Sequence, residues 1–171
     1  SVHFLIDNDG TIYQTIDMQH GCWHAGSERA NRASVGVEVS NACYPKYQDW
    51  YMRNGHGERP LLEGIRCHGE DLDSFLGFYP VKIRALKQLW KAIHKGLGVP
   101  YAAPLNQFGN ISSGYEQNVK YGDFRGFVSH YHISKNKIDC AGLNIKELLA
   151  EVEDEEENAY SFVSDVCEDD L

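Results

Sequence analysis

The chain has 171 residues, enough for one domain with a core of its own. A mean hydropathy of -0.47 and the lack of any long apolar run exclude a membrane span. The net charge of -9 is lopsided: residues 151–171 hold 10 of the 25 acidic residues and no Lys or Arg, leaving 15 acidic against 16 basic in the rest and no basic stripe for nucleic acid.

The chain opens on Ser1 without an initiator Met, and its start is expected to lie downstream of a natural one. Ser1–Ile6 reads as strand and lacks the basic region of a leader. Residues 2–7 and 11–16 flank Asn8-Asp9-Gly10, a hairpin signal with Gly where φ is positive. Cys22–Gly26 follows as a compact turn that sets Trp23 beside His24. His24 reads equally as a half-buried, hydrogen-bonded histidine and as a substrate contact. In Ser34–Asn41 the two-residue period puts Val35, Val37 and Val39 on one face, with Gly36, Glu38 and Ser40 on the other. A carboxylate among small residues is costly on a buried face, but suits the floor of a cleft.

Residues 44–79, rich in Gly, Pro and scattered aromatics, read as a long structured excursion and a cleft wall. His56 and His68 lie in it and read as solvent-facing or hydrogen-bonded. A helix follows Pro80, with Ile83, Leu86, Trp90, Ile93 and Leu97 on one face; Gly96, Gly98 and Pro100 end it. Trp90 is core, and His94 near the helix end is assigned no chemistry. Residues 101–123 read as loop and 124–130 as a second buried strand with His130 at its end. The last helix starts at Asn144, with Glu147 completing a capping box and Leu148, Leu149 and Val152 facing inward. The interleaving predicts an α/β fold with a mixed sheet. The acidic end reads as a solvated, partly disordered tail, in which Tyr160-Ser161-Phe162-Val163 offers a docking patch. Five cysteines, an odd number without CxxC pairing, suggest neither a disulfide framework nor a zinc knuckle.

The densest chemistry lies in Ser129–Gly142, which holds His130, His132, Lys137, Asp139 and Cys140. Imidazole, carboxylate and thiolate are the ligands zinc takes. A lysine two residues before the carboxylate brings a cation to stabilise an oxyanion. The plain alternative is a polar loop whose histidines are hydrogen-bonded.

Four blocks in one order carry a family resemblance: His3–Gln14, Trp23–Gly26, Ser34–Glu38 and His130–Gly142. From residue 2 to about residue 150 the chain resembles the zinc-dependent N-acetylmuramoyl-L-alanine amidases, the amidase type 2 family related to peptidoglycan recognition proteins and phage lysozyme-amidases. The resemblance implies a mixed central sheet flanked by helices, with a Zn2+ site at one end of a peptidoglycan-binding groove, in a phage or bacterial protein that acts on the cell wall. It implies His130 and Asp139 as metal ligands, Glu38 as general base, Lys137 as oxyanion stabiliser, and Trp23 and His24 as groove residues that contact substrate. It divides the chain into an amidase-like unit over 1–152 and an acidic tail over 153–171.

Two departures stand out. The family's further ligand histidine, on a strand upstream of the block that His3 opens, has no matching position, so the sheet is expected to lack its N-terminal strand. A partner segment is then expected to complete the zinc site. Asp139 is followed by Cys140-Ala141-Gly142 where many members have Pro-Gly. The thiol is an alternative ligand, but Asp139 keeps the Lys-x-ligand spacing; His132 is the weaker alternative to His130. Beside hydrolysis stand two other expectations: a non-catalytic muropeptide-binding module of the same fold, and a protein-interaction domain working through the acidic tail.

Overall fold

In the computed structural model the described residues are 1–168, with side chains described for 1–159. β1 (Phe4–Ile6) and β2 (Ile12–Gln14) form the expected antiparallel hairpin, and β3 (Val37–Val39) lies parallel to β1 on its other side, Leu5 opposite Glu38. The order β2-β1-β3 makes a mixed sheet and leaves β3 at the edge. The hairpin tip needs a glycine, because Gly10 has φ +86 and a Cβ there would meet a Val81 methyl at 2.8 Å. The crossover to β3 carries α1 (Glu28–Ala33), whose first turn the Ser27 side chain caps.

The excursion at 44–79 is structured, as expected. It contains a 3-10 turn, α2 (Gln48–Arg53) and two nested hairpins: β4 (Leu61–Leu62) pairs with β7 (Phe75–Leu76) and encloses the pair β5 (Arg66–Cys67) and β6 (Glu70–Asp71). Arg59 closes it. Its side chain is buried and donates to the carbonyls of Ala42, Leu76 and Gly77 and to the Asn41 side chain, against the rings of Tyr51 and Tyr79. A buried guanidinium needs that many acceptors, so one charge ties the excursion's entry to its exit.

α3 (Pro80–Leu97) has Pro80 in its first turn and ends at Gly98, which takes the left-handed conformation (φ 65) and returns its N–H to the His94 carbonyl. Gly96 lies inside the helix rather than ending it. Leu86, Leu89, Trp90 and Ile93 form the core with Phe4, Ile6, Phe127, Ile145 and Leu149, and the β3 valines pack against its margin. α4 (Gln117–Lys120) follows.

The strand expected over 124–130 does not form. Gly126 turns away at φ +147, and Phe127 makes a single bond to the Ala102 carbonyl instead of a ladder. Ser129 and His132 then cap each other reciprocally and start α5 (His130–Ile133), so His130 opens a helical turn instead of ending a strand.

α6 (Ile145–Glu168) starts as expected, with Asn144 Oδ1 accepting the Glu147 N–H and Leu149 and Val152 buried. The expected solvated end is helix over 151–159: Glu151 and Glu155 pair with Lys87, Glu155 with Lys91, and Glu156 with Lys95 and the Tyr101 hydroxyl. The side chains of the Tyr160–Val163 patch and of Cys167 lie outside the described residues. Cys22, Cys43, Cys67 and Cys140 are free thiols. Among the described residues no helix is long and apolar enough to cross a membrane.

Candidate active site

A groove of about 1770 Å³ runs between the β3 edge, the start of α5 and the excursion, and Trp23, His24, Glu38, His130, Lys137 and Asp139 all line it. Trp23 stands at the rim with 71% of its surface exposed. Glu38 is on the exposed face of β3, opposite the valines that meet the core.

The Trp23-His24 turn is held from below. The Asn31 side chain on α1 accepts the N–H groups of His24 (3.0 Å) and Ala25 (2.7 Å), and the His24 ring lies over Gly36, where a Cβ would come within 2.5 Å of it. Under that ring sit His3 and Cys22. Their ligand atoms and that of His24 lie within 4.8 Å of one another, a grouping that could hold a metal ion. The hydrogen bonds fit a metal poorly here. His3 Nδ1 accepts the Gly36 N–H at 2.9 Å, which leaves its proton on Nε2 to donate to the His20 carbonyl. A metal would have to take Nδ1 from Gly36. Burial also pushes the Cys22 thiol pKa up, away from the thiolate a metal takes; it lowers the His24 pKa, which only keeps that ring neutral. The cluster is a packed hydrogen-bonded knot that supports the groove floor.

His130 and Asp139 meet directly, with Nδ1 and Oδ2 2.6 Å apart, while His130 Nε2 reaches the His24 carbonyl at 2.5 Å. Both ring nitrogens face acceptors, which favours the protonated ring when no metal is bound. The hydrogen bond to Asp139 raises the His130 pKa, against burial and the Lys137 charge, and the same bond lowers that of Asp139. An imidazole nitrogen and a carboxylate oxygen thus converge on one point, and the second nitrogen is anchored on a carbonyl, as metal-bound histidines are. The pair fits zinc as two of its ligands. No third His, Cys, Asp or Glu atom joins it within 4.8 Å among the described residues.

Burial pushes the Cys140 thiol up to about 12, so without a metal it is not a thiolate. His132 is fully buried, accepting the Ser129 N–H at Nδ1 and reaching the Ser112 carbonyl from Nε2, away from the groove. Asn31 escaped the sequence reading, Gly36 was read as a small floor residue but not as space for a ring, and His68 is hydrogen-bonded as expected, its Nε2 2.8 Å from the Lys137 carbonyl, a partner the sequence did not indicate. Only the small residues of the β3 strand gave any signal for these contacts.

No solved structure shows significant similarity to the chain. Residues 1–142 match the family model Amidase_2, described as N-acetylmuramoyl-L-alanine amidase. That match covers the β-hairpin, β3, the excursion and the loop bearing Lys137 and Asp139, and the chain belongs to this amidase family.

Proposed function

We propose that the chain hydrolyses the amide between the lactyl group of N-acetylmuramic acid and L-alanine in peptidoglycan, with zinc as cofactor. The observation that carries this reading is the lining of one groove by Glu38, His130, Lys137 and Asp139, residues distant in sequence. His130 Nδ1 and Asp139 Oδ2 would hold the metal, which when bound supplies Lewis acidity and a water of near-neutral pKa. Glu38 takes the proton of the attacking water on its carboxylate and returns it to the leaving amine. The Lys137 ammonium faces the oxyanion that develops on the amide oxygen. Trp23 and His24 hold the sugar-peptide along the rim. A third ligand would come from a partner segment seated along the free edge of β3, where backbone groups are open to pairing. We take residues 1–152 as the catalytic unit and 153–171 as an acidic segment that begins within α6 and packs on α3 through Glu155 and Glu156.

Zinc per chain after dialysis, together with hydrolysis of a soluble muropeptide, tests the reading. Near-stoichiometric zinc and cleavage are expected once the completing segment is present, and little of either in its absence. Glu38→Ala should lower kcat by about 10²-fold or more and leave muropeptide binding largely intact. The second reading, a binding module of the same fold, draws on the pair having only two donors. Muropeptide binding by a zinc-loaded parent that cuts nothing would establish it and sink the first.

A further inference from the structure

We propose that His68 is a positioning residue for Lys137: from the tip of the β5–β6 hairpin its imidazole holds the main chain of the loop that carries Lys137 and Asp139. The inference rests on the hydrolase reading for its consequence and on geometry for its substance.

His68 and Gly69 form the two-residue turn of that hairpin, and both have positive φ, 55 and 86. Such a turn is best served by Gly, Asn or Asp. Histidine is the only non-glycine residue with positive φ among the described residues, so a bulkier side chain is carried where a smaller one would be less strained. That side chain has a defined task. Its Nε2 donates to the Lys137 carbonyl at 2.8 Å, across 69 positions of sequence.

The hairpin tip is itself fixed. The His68 N–H donates to the Ser113 carbonyl at 2.8 Å, and the ring stands edge-on to Tyr131 of α5. Below it, Cys67 packs with Tyr131 and Ala141, so the hairpin grips both ends of the 134–140 loop. α5 holds the two ends of the loop, through the Ser134 N–H to the His130 carbonyl and the Tyr131 N–H to the Asp139 carbonyl, and the stretch between them has little else. Lys137 N–H turns back to the Ser134 carbonyl and Asn136 N–H to the Ser134 hydroxyl, while the Ile138 carbonyl takes the Ala141 N–H. Among the described residues, only His68 bonds the main chain of 135–138 from another part of the chain. Lys137 acts on an oxyanion only if its stem starts from the right place, and small displacements of a catalytic group are expensive.

The test uses the full chain with His68→Gly, which keeps the positive-φ turn and removes the donor, and with His68→Gln, which restores an N–H of similar reach. In the metal-free protein, amide exchange at 135–138 should accelerate about tenfold in His68→Gly while that of 80–97 stays unchanged. With zinc, kcat on a soluble muropeptide should fall about tenfold at unchanged KM, and His68→Gln should recover most of both effects. Unchanged exchange at 135–138 in His68→Gly would overturn the proposal even in a fully active parent. Failure of His68→Gln to restore either readout would reduce His68 to packing and overturn it equally. A zinc-loaded parent that does not cleave with the completing segment present defeats the hydrolase reading, and the exchange measurement still decides the contact.

Discussion

A methyl group at Gly36 would lie 2.5 Å from the His24 ring, and His24 in turn offers its carbonyl to His130. Gly36→Ala must therefore move the ring or the strand. We expect it to cost about 1–3 kcal/mol in thermal or denaturant unfolding and to lower zinc retention together with hydrolysis. Unchanged melting and activity would show that the ring moves freely. Lys82 is the other residue under strain. Its amine is fully buried, donates to the Ser40 carbonyl, and has its pKa lowered to about 8, first by burial and then by the Arg59 charge, with Asp7 opposing. An unfolded lysine titrates near 10.4. Below about pH 8 both states are charged and the fold bears the full burial penalty. Between 8 and about 10.4 the unfolded chain binds more protons, so stability rises with pH. Unfolding free energy measured across that window should climb in the parent, by on the order of 3 kcal/mol at most. Lys82→Met should lack that climb, and equal slopes in the two proteins would refute the assignment.

The ladder between α3 and α6 is the clearest interaction between elements outside the core. Lys87 and Lys91 are mostly covered while their partner Glu155 remains 44% exposed, so the network is worth little per pair. Glu155→Ala should cost about 1 kcal/mol at low salt and less in 1 M salt, read by urea unfolding at both. Elements with a strong local signal were legible in the sequence. The hairpin announced itself through Asp9-Gly10, α3 through its apolar period between Pro80 and Gly98, and α6 through Asn144 and Glu147. The failures have local causes too. Phe127-Val128 looks like a buried strand because burial and strand pairing leave the same apolar signature; Gly126 and the Ser129–His132 cap broke it. The acidic end looked solvated because its partners, the α3 lysines, stand more than fifty positions away. In the candidate site, the residues that line the groove were visible from their motifs, whereas Asn31 and His68 make main-chain contacts that leave no pattern in sequence.

Across the whole molecule, the acidic excess that looked like an appendage starts as part of the packing, since Glu155 and Glu156 touch three lysines and Tyr101 of the body. Truncation after Val152 should therefore lower the melting temperature by a few degrees while muropeptide hydrolysis persists at low temperature. An unshifted melt would return the segment to the status of a free tail, and loss of hydrolysis in a folded protein would place it in the site. Arg59 has a consequence on the same scale. It joins the strand end at Asn41-Ala42 to Leu76-Gly77, and the Leu76 N–H also reaches the Cys43 carbonyl, so the two ends of the excursion meet. A segment that leaves and returns at one point is an exchangeable cassette: the sheet does not register its length. Shortening or lengthening it should therefore leave the β1–β3 sheet undisturbed and change the height of the groove wall.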